Sequence, residues 1–429
     1  MNIIKKNYHW IIVAVLLVEL AVHLGILNNI SGLYIIPVTE ELGISRGSFS
    51  LAYSIRSLIA FFSTLFSGFI FSKYGFRKLA TIFLLITAVS YALLGSSQNA
   101  LMLAMASALM GTGDGFCSTA AATRMVNTWF HTNQGLILGL VTASTGLGGS
   151  LFSIILSKSI ETDGWRTSYY LCGILVAIMA VIIVLVSRDH PSKMGLLPFG
   201  AGSHHGKKAK KTSQDHWYGY EPADVRKKPA FYLMIAVIFL SAACQYSAFS
   251  AVVPHLQDCG MSAAKAASMQ SILLLALAAT KFICGILSDV FGAKMVNVLC
   301  IVCTIFALAL LALSGNETIV LIAILLFSVG LVMTTITAPL LSTALFGYHP
   351  QSSIVGIVMA LIPAASVVTN PLVNSIYDRI GTYSPIFLAF AGVGVVTLIM
   401  MFVLFAVSDR DRKGYEAQHP ELTTMEESL

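Results

Sequence analysis

Twelve runs of about 20 apolar residues dominate the chain. They lie near 9–36, 49–71, 79–96, 101–129, 135–157, 168–187, 230–254, 264–288, 295–313, 318–345, 352–376 and 384–407. Each is long enough for a helix to cross the hydrocarbon core of a bilayer. Their apolar residues follow neither the period of an amphipathic helix nor that of a half-buried strand. Of the 429 residues, 56% are hydrophobic and only 11% charged, too few charges to clothe a soluble domain. The fold class is an all-α membrane protein with twelve transmembrane helices, here spans 1 to 12. Span 1 is too long for a cleavable signal peptide and lacks a small-residue cleavage site.

Six of the seven cysteines fall inside spans, and only Cys259 falls in a connection. Cys300 and Cys303 have CxxC spacing, but no His or acid is near them in an apolar run, so they read as small core residues. No metal and no cofactor is expected. Lys and Arg set the orientation. With the N-terminus inside, 18 of the 26 fall in cytoplasmic segments and five (Arg46, Lys158, Arg166, Lys265, Arg379) in external loops. Both termini are therefore expected in the cytoplasm of a multi-pass plasma-membrane protein. The net charge of +6 follows from this bias and calls for no nucleic-acid partner. The stretch HHGKKAKK, 204–211, reads as a solvated loop beside anionic head groups, with His204 and His205 part of it.

The loop 188–229 divides the spans six and six, and the halves match at a constant offset of 217 residues. Pro37, Gly43 and Ser45 correspond to Pro254, Gly260 and Ser262; Gly68 and Gly75 to Gly285 and Gly292; Gly139 to Gly356; Gly164 to Gly381. The expected organisation is an N-terminal bundle (1–187), a cytoplasmic linker (188–229), a C-terminal bundle (230–407) and a cytoplasmic tail (408–429). Two pseudo-symmetric six-helix bundles related by an axis along the membrane normal are a transporter architecture.

The motifs carry a family resemblance. Gly285, Asp289, Gly292 and Lys294 fit GxxxDxxGxK after span 8, while the first-half copy, GFIFSKYGFRK (68–78), has Ser72 in place of the acid and keeps Arg77 and Lys78. Over its whole length the chain resembles the major facilitator superfamily. GTGDG (111–115), NTWF (127–130), GLILGLVTASTGLGG (135–149), GWR (164–166) and HPSKMGLLPFG (190–200) resemble its bacterial oxalate/formate antiporter and monocarboxylate porter branch, with Gln134 where that branch usually has Arg. Physically, the loop at 72–78 must turn two helices tightly, which favours Gly. Its cations can meet helix C-termini or an acid and latch one state. Gly68, Gly75, Arg77, Lys78, Gly285, Asp289, Gly292 and Lys294 are thus the expected gating residues. The glycines of span 5 allow close helix approach.

Six ionisable residues interrupt the spans: Glu19, His23, Arg56, Asp114, Arg124 and Lys281. A charge at the bilayer centre costs about 2.5–3.5 kcal/mol on insertion scales, so such groups face the bundle interior and mark function. At the 217 offset the first five map to Ala236, Leu240, Leu273, Leu331 and Leu341, and Lys281 maps to Thr64. A six-helix half is thus built once without each of them. Glu19 and His23 share a helix face at i, i+4. Glu19, His23, Asp114 and Lys281 fall at depths that allow one central cavity. Arg56 falls in the outer third of span 2, and Arg124 near the inner end of span 4, snorkelling or supporting a gate.

In the families the chain resembles, a span 8 Arg four residues before the Gly engages the substrate carboxylate. Here that position is Lys281, a point charge without the guanidinium fork. The accompanying acid of animal monocarboxylate carriers falls at Leu277, and no Lys or Arg occurs between Gln351 and Asp378 in span 11. A second anchor for a dianion is therefore missing, and a monoanionic organic acid fits better than oxalate. Glu19, His23 and Asp114 form the expected proton-coupling set. The alternative for Glu19 is a buried pair with Arg56, Arg124 or His23, and for Asp114 a pair with Arg124 or a span 1 group. Asn28 and Gln245 are further polar candidates for substrate contact or for helix joining.

The sequence therefore describes a secondary carrier, expected as a monomer, that moves a small organic anion by alternating access with a proton or a counter-anion. Substrate-binding candidates are Lys281, His23, Asn28, Arg56 and Gln245. The competing reading is a proton-driven exporter of an amphipathic or cationic compound. A phosphate loop, metal cluster or nucleophile motif is absent from the sequence, which speaks against an enzyme.

Overall fold

The computed structural model describes residues 7–130, 132, 134–200, 220, 222–313, 316–347 and 351–418. The basic stretch 204–211 lies outside the described residues. Described residues are almost entirely helical. The helices are α1 (Tyr8–Asn29), α2 (Gly32–Leu42), α3 (Arg46–Tyr74), α4 (Phe76–Gly95), α5 (Ala100–Phe116), α6 (Thr119–Trp129) and α7 (Gln134–Val186), then after the loop the short α8 (Pro222–Val225). There follow α9 (Pro229–Asp258), α10 (Ala263–Phe291), α11 (Ala293–Ala312), α12 (Glu317–Val332), α13 (Ala338–Phe346), α14 (Gln351–Ile380) and α15 (Ser384–Gln418).

Among the described residues nine helical stretches are long and apolar enough to cross a membrane, and one of them, Leu136–Val186, has 51 residues and bends at Gly164. It supplies spans 5 and 6. The more polar α3 and α14 occupy the places of spans 2 and 11, so each of the twelve predicted spans is helical. Three spans differ from the continuous helices that their apolar runs predict. Span 1 breaks at Ile30–Ser31 between α1 and α2, and span 4 at Cys117–Ser118 between α5 and α6. Span 10 contains a π-helical turn, Met333–Thr337, between α12 and α13. Apolarity reports burial in lipid or protein, and it does not report whether the backbone stays helical within that burial.

The repeat is visible in backbone geometry. Gly43 and Gly260 (φ 62° and 90°), Gly75 and Gly292 (both 81°) and Gly164 and Gly381 (82° and 76°) turn the chain between helices at matching points. Each uses the left-handed region that a Cβ disfavours. Capping repeats too. Ser45 Oγ accepts from Ser48 N–H, and Ser262 Oγ from Lys265 N–H. Asn99 and Asn316, also 217 apart, cap α5 and α12.

The chain groups into two compact units, Met1–Gly206 with Ser250–Ala278 and Asn370–Gly381, and Lys207–Phe249 with Ala279–Thr369 and Thr382–Leu429. The first unit takes in the end of α9, the first half of α10 and the end of α14. Within it α1 runs along α7, and α3 along α5. Glycines set these approaches. A Cβ at Gly148 would overlap the Ala21 carbonyl, and one at Gly25 would stand 2.9 Å from Gly149 N. The span 5 glycines thus do what close packing requires.

Candidate functional site

The first unit holds a polar cluster, largely buried but with Asn28 at its exposed edge, where two helices end. Asn28 lies in the last turn of α1, and Asp114 in the last turn of α5. Arg56 lies on α3. Its Nη1 donates to Asp114 Oδ2 at 2.7 Å and to Asn28 Oδ1 at 2.8 Å. The Arg56 and Asp114 side chains are only 11% and 15% exposed. Helix C-termini carry negative partial charge, so two of them make this a tolerable place for a buried cation. The Tyr53 ring, one turn earlier on α3, lies 5.2 Å from Arg56 Cζ.

Local sequence explains why so short an acid reaches the guanidinium. In GTGDG, Gly111 and Gly115 are one turn apart and face α3. A Cβ at Gly111 would overlap the Arg56 carbonyl, and one at Gly115 would overlap Ser63. Gly113 faces α4, where a Cβ would overlap Thr87 Oγ1. Bare glycine faces bring the α3 and α5 backbones together, and Asp114 spans the remaining gap.

The cluster leaves hydrogen-bonding capacity unused. Arg56 Nε is buried and has no partner. His23 is 0% exposed, and neither ring nitrogen has a hydrogen-bond partner, although it lies beside the Gly113 backbone and near Arg56. Glu19 is 2% exposed, and no ion pair involves it among the described residues. Buried polar groups are normally paired, so orphaned ones call for an explanation such as a ligand or an ordered water.

Several expected residues sit elsewhere. Lys281 belongs to the second unit, is partly buried, and among the described residues makes neither an ion pair nor a hydrogen bond. Gln245 is fully engaged: its Nε2 donates to Thr304 Oγ1 and to the Gly330 carbonyl at 3.1 Å, and Thr334 donates to its Oε1 at 3.4 Å. It joins three helices of the second unit. Arg124 is exposed on α6 beside a cavity of about 430 Å³. Asp114 meets Arg56 and not Arg124, and Arg56, which its depth along the apolar run separates from the central group, joins that group through its long side chain.

Beside the residues expected to gate lies an acid that the sequence did not mark. Asp189, just after span 6, accepts from the Arg77 backbone N–H at 2.7 Å and from Lys193 Nζ at 2.7 Å. A Cβ at Gly75 would stand 2.9 Å from this carboxylate, so Gly is required there twice over. Asp189 thus supplies a carboxylate to the turn that follows Ser72 in the motif, at the start of α4. Partial burial raises its carboxyl, but the bonds from Lys193 and the Arg77 N–H outweigh that and hold it below the ordinary range. In the second unit the equivalent cation, Lys294, meets Asp409 at 2.5 Å. The side chain of Asp289 lies outside the described residues, as does that of Ser72. Gly68 lies within α3, Gly285 within α10, and Lys78 in the first turn of α4.

At the opposite end of α3, Arg46 makes a bidentate pair with Asp258 (2.7 and 2.9 Å), and its guanidinium lies 4.0 Å from the Tyr377 ring centre. Asp378 accepts from the Arg46 and Gly47 backbone N–H groups at 3.0 and 2.8 Å. This end of α3 is thus bound to the ends of α9 and α14 within the first unit. Nothing in the apolar pattern marked these acids. Their only signal was their place at helix ends facing an arginine at a helix start.

Comparison with known proteins places the chain. Residues 15–354 match the Major Facilitator Superfamily, and the chain belongs to that family. It is therefore a multi-pass membrane protein of a transporter family. It is similar to the uncharacterized MFS-type transporter YhjX of Escherichia coli (26% identical over 259 residues, 59% of this chain and 58% of the relative). It is also similar to the oxalate:formate antiporter of Oxalobacter formigenes (25% identical, 38% of both chains) and to the probable sulfoacetate transporter SauU of Cupriavidus necator (22% identical, 36% of both). The matched stretches span less than two thirds of each relative. Among solved structures, the nucleoside transporter NupG superposes with a TM-score of 0.75 at 12% identity, over 93% of this chain and 100% of that one. The xylose transporter XylE of E. coli superposes with a TM-score of 0.69 at 13% identity, over 92% and 99%. These two likenesses establish the fold.

Proposed function

We propose that the protein moves a small organic anion, a monocarboxylate, by alternating access across the plasma membrane, with both termini in the cytoplasm. The observation that carries this reading is the largely buried guanidinium of Arg56, which holds Asp114 and the exposed Asn28 on Nη1 and has no hydrogen-bond partner on its buried Nε. A carboxylate can accept from that unused edge, and His23 can donate or accept beside it. The names of the oxalate:formate antiporter and the probable sulfoacetate transporter, both of which state anionic substrates, support the anionic part of this reading. Lys281, in the second unit, is kept as a separate candidate for substrate contact and takes no part in the charge balance at Arg56.

Charge balance suggests the coupling. Arg56 is already compensated by Asp114. A second carboxylate on the same guanidinium leaves one buried negative charge unpaired, which costs about 3–5 kcal/mol. A proton taken up by Asp114 removes that cost and frees Arg56 for the substrate. Departure of another anion from the site does the same. The mechanism is thus proton symport or anion exchange, with Glu19 and His23 as neighbouring proton carriers. The test is uptake of labelled formate, lactate and pyruvate into proteoliposomes by the native chain, Arg56→Gln and Lys281→Ala. The reading expects one acid to accumulate and Arg56→Gln to abolish its uptake. Uptake of no acid, with export of an organic cation that Arg56→Gln leaves intact, sinks it in favour of the exporter reading.

A further inference from the structure

From the ends of α3 and α6 we infer that the cavity beside Arg124 is a second binding station, for a small hydroxylated carboxylate, passed on the way to or from the Arg56 cluster. This inference rests on the anion reading above. The cavity holds about 430 Å³ and is lined by Ser67 and Phe71 of α3 and by Ala121, Thr123, Arg124, Asn127 and Thr128 of α6. Ser67 lies 11 residues beyond Arg56 on the same helix, about 16 Å along it. The other end of α3 is the one fastened by Asp258 and Asp378. One end of α3 is therefore fastened, and a polar cavity lies at the other, with Arg56 between them. The break at Cys117–Ser118 separates the two stations on the facing side, so α6 can change its angle without dragging Asp114 with it.

The lining specifies the ligand. Arg124 and Asn127 are exposed, and both carry donors suited to a carboxylate. The three hydroxyls have already donated their protons to backbone carbonyls: Ser67 to Thr64, Thr123 to Thr119 and Thr128 to Arg124. What they offer a ligand is acceptor capacity. A plain fatty acid has nothing to donate to them, whereas a hydroxy acid places its carboxylate on the donors and its hydroxyl hydrogens on the acceptors. The buried Phe71 and Ala121 close the apolar floor.

The test needs no transport. Thr128→Cys is made in the full chain with Cys259→Ser, which removes the one exposed cysteine among the seven. Reaction with negatively and positively charged methanethiosulfonates is timed in proteoliposomes, each rate divided by that with free mercaptoethanol. The inference expects the anionic reagent to react roughly three- to tenfold faster, the preference of a unit charge a few ångströms away in screened water. Arg124→Gln should bring the ratio close to one, and Arg124→Lys should keep it. Gluconate should slow the reaction at concentrations where butyrate does not. Thr123→Cys serves as a second reporter with the same expectations should Thr128→Cys fold poorly. A ratio near one, a ratio indifferent to Arg124→Gln, or equal protection by butyrate overturns the inference. Loss of uptake in Arg56→Gln does not enter this labelling, so failure of the central-site reading is seen separately.

Discussion

Arg46 offers the most quantitative handle on the gating scheme. Its guanidinium grips both Asp258 oxygens, with the two side chains 13% and 23% exposed. A charge-assisted, bidentate contact of this burial contributes about 2 kcal/mol after allowance for partial solvent screening. If the ends of α9 and α14 must leave α3 during the cycle, Arg46→Ala raises the population of the parted state about thirtyfold, since every 1.4 kcal/mol is about tenfold. Val253 reports this well: it is 2% exposed, on α9, with Cβ 3.7 Å from where a Gly32 Cβ would stand. Maleimide labelling of Val253→Cys, with Cys259→Ser, should accelerate by about that factor in Arg46→Ala. Arg46→Lys should recover less than half of the effect, because an ammonium lacks the fork. A lower melting temperature with an unchanged labelling rate would refute the gating reasoning and leave a stability element.

Three further outcomes follow from the geometry. Gly113→Ala should destabilise the protein by about 1–3 kcal/mol through overlap with Thr87, and Thr87→Ala should restore only part of the loss, since the Phe83 carbonyl would still stand 2.9 Å from the new Cβ, as thermal melting in detergent will show. Asp189→Asn should lower the melting temperature at neutral pH. Because the folded Asp189 carboxyl sits below its ordinary range, its contribution is present above the unfolded value of about 4 and fades as pH falls through the folded value, so native and variant melting temperatures should converge in strong acid. Gln245→Leu should cost about 1–3 kcal/mol of stability by orphaning the Thr304 and Gly330 partners, with KM unchanged if its role is confined to joining helices.

The sequence announced the large features because they are written in composition and period. Twelve apolar runs became twelve helical spans, and the 217-residue offset reappears as three pairs of left-handed glycines. The breaks at Ile30–Ser31 and Cys117–Ser118 were not legible, since an apolar run looks the same whether its backbone is continuous or interrupted. The intramembrane charges were visible one by one, but their partners depend on helix rotation and side-chain reach. Depth alone set Arg56 apart, whereas its side chain carries the guanidinium back to Asp114 and Asn28. Asp189, Asp258 and Asp378 escaped notice because they lie at helix ends, where charge is unremarkable until a tertiary contact gives it a role.

The central claim is that substrate and Asp114 compete for Arg56. The most direct measurement compares proton-gradient-driven uptake with equilibrium exchange of the same labelled acid, for the native chain and Asp114→Asn in proteoliposomes. The account predicts that Asp114→Asn exchanges the acid across the membrane yet no longer accumulates it when the inward proton gradient is imposed. Full gradient-driven accumulation by Asp114→Asn would contradict it.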